Sequence, residues 1–350
     1  MKTTFVSTSA MQNAVRLAIQ RAQSEVTDRQ QEVVTNRYAD VGLALGSKST
    51  RSISLNREVA RIDAVLDTNA LVGQRLSSSQ VVLGQLSESA QQMLDTLITL
   101  SDGENASLVK VAQQTINGAL GNFSALANTS NSGEFLFAGV NTDVRPMNDY
   151  FAPGSPAKAA FDNLFQSRFG FSQTDPQTET ISAADLTNFL DTDVKQMFEG
   201  PAWNLNWSSA SDTNLTNRIN GSEVIQSSTN ANNAGFRQFA MAAVVGSELI
   251  GGNWNSQARA ALSDAVISMA GSAITSVDEQ RAELGVAEMR VTKANVSLRT
   301  QKDIVAVYIG ELEGVDPYEA ATRMNTLLTQ MEASYSLTAR IQQMSLLNFL

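Results

Sequence analysis

The 350-residue chain contains no cysteine and no histidine, and only six prolines. Without cysteine there is no disulfide and no thiolate nucleophile. Without histidine the Ser-His and Cys-His arrangements are gone, and zinc sites built on either residue go with them. Catalysis would have to rest on carboxylates, Lys or Tyr alone, so the chain is expected to be no enzyme and to need no cofactor or metal. No stretch of 18 apolar residues occurs either. The nearest, "FAMAAVVGSELIGG" from Phe239, is interrupted by Ser247 and Glu248, so membrane insertion is not expected. "MKTTFVSTSAMQNAVRLAIQRAQ" lacks the continuous apolar segment of a cleaved secretory signal, and export would need another route. Basic excess is missing too: the net charge of -10 opposes attraction to phosphate backbones, which makes nucleic acid an unexpected partner.

What is present is 43% hydrophobic residues, enough to bury a core, distributed unevenly. Pro146 is the first proline, four more follow up to Pro201, and Pro317 is the last. Phenylalanine crowds the same middle, between Phe151 and Phe198, and Trp203 and Trp207 follow it. Two proline-poor, aromatic-poor flanks therefore enclose a different kind of segment.

The flanks read as long helices. From Met11, the positions Val15, Ala18, Ala22, Val26 and Val33 recur at three-, four- and seven-residue steps, predicting an amphipathic helix to about Tyr38. "YADVGLALGSKST" breaks it. The stripe resumes through Val59, Ile62, Leu66, Leu76, Leu83, Leu86, Ala90, Leu94 and Leu97, a helix of about 75 Å at 1.5 Å per residue. A further helix is expected from Ser107 to Ala127. On the other flank, Leu262, Val266, Met269, Val277, Leu284, Val291, Leu298, Val305 and Leu312 step mostly by sevens, the spacing of a coiled-coil seam. Asp316 and Pro317 then stop one helix and start the next. That last helix carries Met324, Leu327 or Leu328, Met331, Tyr335, Thr338, Ile341 and Met344, and runs into Leu346, Leu347, Phe349 and Leu350. Its stripe needs a partner, and the segment Met11–Tyr38 is the one of matching length without another. Apolar faces left over after that pairing point to burial against other subunits.

Between Pro146 and Asn232 no helical period is sustained. Polar stretches such as "WNLNWSSASDTNLTNRINGSE" predict short strands in a small β-rich domain, with a helix near Phe161–Phe165. The fold expected is mainly α: long antiparallel helical, coiled-coil flanks from both ends of the sequence around an inserted β-rich middle. The boundaries read as 1–40 for an amino-terminal helix, 41–145 and 233–314 for two halves of a helical rod, 146–232 for the insertion, and 315–350 for a carboxy-terminal helix.

Candidate chemistry is thin. "SLVK" at Ser107–Lys110 has the Ser-x-x-Lys spacing of penicillin-binding enzymes, but their Ser-Asp-Asn and Lys-Thr-Gly elements are missing. Asp191 with Asp193, and Asp278 with Glu279, read as solvated surface acids rather than acid-base or cation sites. No phosphate-cradling glycine loop occurs.

The stretch "ATRMNTLLTQMEASYSLTARIQQMSLLNFL", with its Ala333–Tyr335 triplet, resembles the terminal helix of the flagellin superfamily, whose members pack both chain ends as helical layers and loop out a variable middle. Within it, "NTSNSGEFLFAGVNTDVRPM" from Asn128 is similar to the hook-filament junction branch, with Phe135, Phe137, Gly139, Thr142 and Pro146 matching. "YADVGLALGSKST" stands where many relatives carry a Ser-Asp-Asp-Pro turn. The resemblance implies an adaptor ring joining hook to filament, with filament flagellin as the alternative. The implied partners are copies of itself, other hook-associated and hook subunits, flagellin and an export chaperone. The implied location is the extracellular flagellum, reached by type III export without a cleaved signal. The implied subunit interface is Met11, Val15, Ala18, Ala22, Val26 and Val33 with Met324, Leu328, Met331, Tyr335, Ile341, Met344, Leu346, Leu347, Phe349 and Leu350.

Overall fold

A computed structural model describes residues 8–101 and 106–347. Helix dominates: α1 Thr8–Thr35, α2 Val41–Leu45, α3 Ser49–Ser101, α4 Ala106–Ala127, α5 Pro156–Phe169, α6 Ala183–Asn188, α7 Lys195–Glu199, α8 Ala202–Asn206, α9 Ala234–Leu249, α10 Ser256–Glu313 and α11 Pro317–Leu347. A π-helical turn, Phe189–Val194, joins α6 to α7. The strands are few and short. β1 Ser130–Asn131 pairs antiparallel with β2 Glu134–Phe135, and β3 Thr216–Arg218 with β4 Val224–Gln226. This is the expected mainly-α fold with a small β-containing middle.

Local signals explain the boundaries. Asp40 accepts the Leu43 N–H at 2.8 Å and caps α2, so the break after α1 holds a short helix of its own. Asp316 accepts the Tyr318 N–H at 2.8 Å, and Pro317 opens α11 where its missing N–H costs nothing. Asn255 accepts the Ala258 N–H at 2.9 Å to start α10.

The chain divides into two compact units: Val65–Val296, and the flanks Met1–Ala64 with Ser297–Leu350. Within Val65–Val296, α3 buries Asn69, Val72, Leu76, Ser79, Leu83, Leu86, Ala90, Met93 and Leu97, alternating steps of three and four. On α10 the same alternation buries Val266, Ala270, Ala273, Val277, Gln280, Leu284, Ala287, Val291 and Ala294. These are heptad seams. The hydrogen bonds Asn69–Asn295, Gln80–Arg281 and Ser87–Asp278 climb one helix while descending the other, so the pair is antiparallel.

The apolar run from Phe239 becomes α9, whose residues Phe239–Ser247 are all buried among α4, α7 and the insertion. A helix apolar on every side belongs inside a core. Gly235 lets its first turn approach α10: a Cβ there would sit 3.0 Å from Val277 and Gln280 side-chain atoms.

The insertion contains the strands expected of it but more helix than its polar sequence suggested. Its aromatics supply the reason. Phe161, Phe165, Phe189, Phe198, Trp203 and Trp207 are fully buried, and Trp207 stacks between Trp203 and Tyr150 with centroids 5.5 and 5.4 Å away. Short helices set such rings on one side while the Asn- and Ser-rich segments wrap them. A polar web stands at the edge of this cluster. The Glu248 carboxylate accepts from Tyr150 OH at 2.9 Å, Lys158 Nζ at 2.9 Å and Gln173 Nε2 at 3.1 Å. Burial raises the Tyr150 pKa, and the neighbouring Glu248 charge raises it further. Burial alone would depress Lys158, but its bonds and charge pairing with Glu248 and Asp162 leave it raised.

Candidate assembly interface

The candidate catalytic residues resolve into ordinary structure. Ser107 lies in the first turn of α4. Asp193 pairs with Arg168 at 3.5 Å, Asp191 faces solvent on the π turn, and Asp278 bonds Arg281 at 3.0 Å and Ser87 at 3.1 Å. Among the described residues no group of acids could hold a metal ion. Two shallow grooves of about 370 and 340 Å³ flank the β3–β4 hairpin; their lining includes Glu134, paired to Arg75, and Ser228, whose Oγ accepts the Leu215 N–H.

The pairing inferred for the two terminal helices is present: α1 packs along α11. On α1 the half-buried row is Val15, Ile19, Ala22, Val26, Arg29 and Val33; on α11 it is Met324, Leu327, Met331, Ser334 and Thr338. Both rows step by three and four. Gln23 Nε2 donates to Tyr335 OH at 2.9 Å across 312 residues of sequence.

The expected interface residues therefore separate into two sets. Val15, Ala22, Val26, Val33, Met324 and Met331 turn toward the α1–α11 seam. Met11, Ala18, Leu328 and Tyr335 are exposed beside it. Ile341, Met344, Leu346 and Leu347 lie on the last turns of α11, outside the described side chains, and Phe349 and Leu350 lie outside the described residues. Of the alternatives on α11, Leu327 takes the inward place and Leu328 the outward one.

Sequence reading missed several outward apolar residues. Leu17 is 50% exposed, Val34 75% and Leu337 51%, each off the rows that periodicity selected. Single exposed apolar residues are normal, but here they recur along a pair whose seam is itself half open.

It also missed a buried acid at the base of the pair. Glu313, 1% exposed, ends α10 and receives Ser52 Oγ, Asn56 Nδ2 at 3.1 Å and the Arg37 guanidinium. The backbone repeats the tie: Tyr38 N–H donates to Glu313 O at 3.0 Å, and Val315 N–H to Asn36 O at 3.1 Å. Nearby, Glu32 is 3% exposed, pairs with Arg29, and accepts the Ala39 N–H at 3.3 Å. The turn leaving α1 is thus clasped to the turn entering α11. A lone Glu in "GELEGVD" gave no signal, because its partners lie more than 250 residues away.

The stretch from Asn128 is a folded corner. β1 and β2 close its Asn131–Glu134 turn, Phe137 is buried, and Gly139 adopts a φ of +66°. A Cβ on Gly139 would meet Ser211 O at 2.4 Å and Thr213 O at 2.7 Å, so both backbone handedness and space require glycine.

Comparison with known proteins agrees with this arrangement. The bacterial flagellin amino-terminal helical region matches residues 6–142, and the bacterial flagellin carboxy-terminal helical region matches residues 267–350. Among solved structures, one from Vibrio parahaemolyticus carrying the description of a flagellar hook-associated protein aligns with a TM-score of 0.52 at 14% identity. The alignment covers 76% of this chain and 97% of that one. At that identity the likeness concerns the fold. No curated protein matches. The two matched regions together cover well over half of the sequence and include both helices that pair at the terminal seam, and the chain accordingly belongs to the flagellin superfamily, a structural and non-enzymatic family of the extracellular bacterial flagellum.

Proposed function

We propose that this chain is a hook-filament junction adaptor of the hook-associated protein 3 kind, forming a ring between hook and filament through its terminal helices. The observation that carries the reading is the 128–147 stretch. Phe135, Phe137, Gly139 and Thr142 match the junction branch, and the corner depends on them: Gly139 has no tolerated replacement, and the Phe135 N–H donates to Thr142 O at 2.8 Å. The hook-associated description of the similar Vibrio fold supports the same choice. In this reading the exposed Met11, Leu17, Leu328 and Leu337 meet neighbouring subunits, hook-associated proteins and flagellin. Export proceeds through the flagellar type III channel without a cleaved signal, with a chaperone held near α11. A cysteine-free chain suits that passage, having no disulfide to reduce before threading.

The second reading, a filament flagellin, is favoured by the match of both flagellin regions. Seeded polymerisation separates the two. Purified protein added to hook fragments and viewed by electron microscopy is expected to cap them without elongation. Long filaments of this protein alone would overturn the adaptor reading.

A further inference from the structure

The heptad seams of α3 and α10 in Val65–Val296 contain three polar core positions: Asn69, Ser79 and Gln280. Ser79 satisfies itself, donating to Arg75 O of its own helix at 3.0 Å. The other two do not. Asn69, 1% exposed, donates to Asn295 Oδ1 at 2.7 Å and to the backbone carbonyl of Ile219 at 2.9 Å. Gln280, 5% exposed, donates to Thr229 Oγ1. Ile219 opens the turn of the β3–β4 hairpin and Thr229 lies three residues beyond β4, in the last part of the insertion before α9. Each of these two buried amides therefore donates to the insertion, while Asn69 Oδ1 and Gln280 Oε1 stay buried without a hydrogen-bond partner.

The closing segment is built for the task. Ser227, Ser228, Thr229, Asn230 and Asn232 are buried although all are polar, and their groups are spoken for. Ser228 Oγ accepts the Leu215 N–H at 2.8 Å, Asn232 Oδ1 accepts Trp203 Nε1–H at 2.9 Å, and Ala231 N–H donates to Phe137 O at 2.8 Å. One side of this segment thus touches the tryptophan core of the insertion and the other the helix pair. Arg290 on α10 adds a bond to Glu223 in the hairpin at 2.8 Å. A buried amide left without a partner in a coiled-coil core costs more than its bond gains, so the pair is not complete without the hairpin.

We infer that residues 219–229 are a structural part of the α3–α10 pair, supplying acceptors to its two buried amides, so that insertion and pair unfold as one cooperative body and the insertion is not an exchangeable module. This goes beyond the adaptor reading and does not depend on it, because a flagellin with the same segment would behave alike.

The test is a double-mutant cycle in the full-length protein, Thr229→Val against Gln280→Leu, read by hydrogen exchange. Thr229→Val is expected to speed amide exchange about tenfold in peptides from both 266–294 and 203–219, the factor for a lost buried partner of order 1.4 kcal/mol. In the Gln280→Leu background the share owed to Gln280 should vanish, leaving only the loss of the Asn233 Nδ2 bond to Thr229 Oγ1 at 2.6 Å. An equal effect in both backgrounds would overturn the inference. A second measurement stands if a variant folds poorly: with Trp254→Phe leaving only Trp203 and Trp207 of the insertion as tryptophans, urea unfolding followed by tryptophan fluorescence should coincide with loss of protection in 69–97 and 266–294. A fluorescence transition preceding that loss would show an independent module and overturn it as well.

Discussion

In Val65–Val296, Phe123, Phe137, Phe236, Phe239, Trp203 and Trp207 are at most 1% exposed, whereas α1 and α11 bury among their described side chains only Glu32 and Ala320. The same chain thus contains one body that completes its own core and one helix pair that does not. The difference lies in side-chain size and partner number. Inside Val65–Val296, α9 is apolar all round and is enclosed by other elements. Along the terminal pair each helix has a single apolar row and one partner, so every row residue keeps an open flank. A helix pair of this kind is held by its polar clasp and a half-open seam, rather than by an interior.

The sharpest way to break this contrast is to attack both cores equally. Phe236→Ala, which removes a ring 6.0 Å from Phe123 and 5.0 Å from Phe137, should cost about 3–5 kcal/mol in urea unfolding. Val26→Ala in the terminal seam should cost less than about 1 kcal/mol, since the site is already half open. Comparable losses would mean that the terminal pair carries a true core.

Next in size is the clasp. Arg37→Ala leaves the Glu313 carboxylate buried without its cation. Because Arg37 is itself half exposed, the expected loss is about 1–3 kcal/mol, below the cost for a fully buried pair. Hydrogen exchange should accelerate in α1 and α11 and remain unchanged in 69–97. Uniform acceleration would contradict the division.

The polar web of the insertion gives a smaller, pH-dependent effect. Tyr150 and Lys158 both have raised pKa values in the folded state, so their contribution is complete below the ordinary Tyr and Lys values. It is lost as pH rises through the folded ones. Tryptophan fluorescence should therefore report a loosening insertion only above about pH 10, with α1 and α11 unaffected until other groups titrate. Glu248→Gln should weaken this alkaline dependence; a profile unchanged by that substitution would remove the web from the account.

The smallest effect on the subunit should be the largest on assembly. Leu17→Ser, Val34→Ser and Leu337→Ser together alter only exposed side chains, so monomer stability should move by no more than about 0.5 kcal/mol for each. Incorporation into hook caps, scored by electron microscopy, should fall sharply. Normal capping would place the contact surface elsewhere.

Much of this was legible because helices write their partners into a period. The stripes from Val59 to Leu97 and from Val277 to Leu298 marked the seams, and Asp316–Pro317 marked a boundary to the residue. Chemistry without a period was not legible. Asn69 and Gln280 fall on core positions, but what satisfies them comes from a distant segment. "SSTNANN" from Ser227 looks like solvated loop yet is largely buried, because its amides and hydroxyls pair with backbone groups that no local pattern announces. Of the candidate interface, the inward row followed the period, while Leu17 and Val34 stood off it.

The 312 residues separating Gln23 from Tyr335 set an order of events. Contacts of such separation close late, because the intervening chain must first be brought together, while α4 with α9 and the hairpins form over far shorter loops. Helix α1 therefore waits for a partner that lies some three hundred residues further along the sequence. The contact faces proposed for α1 and α11 would come into register only on a subunit whose interior is already finished, so late closure would itself act as a kinetic brake on premature polymerisation.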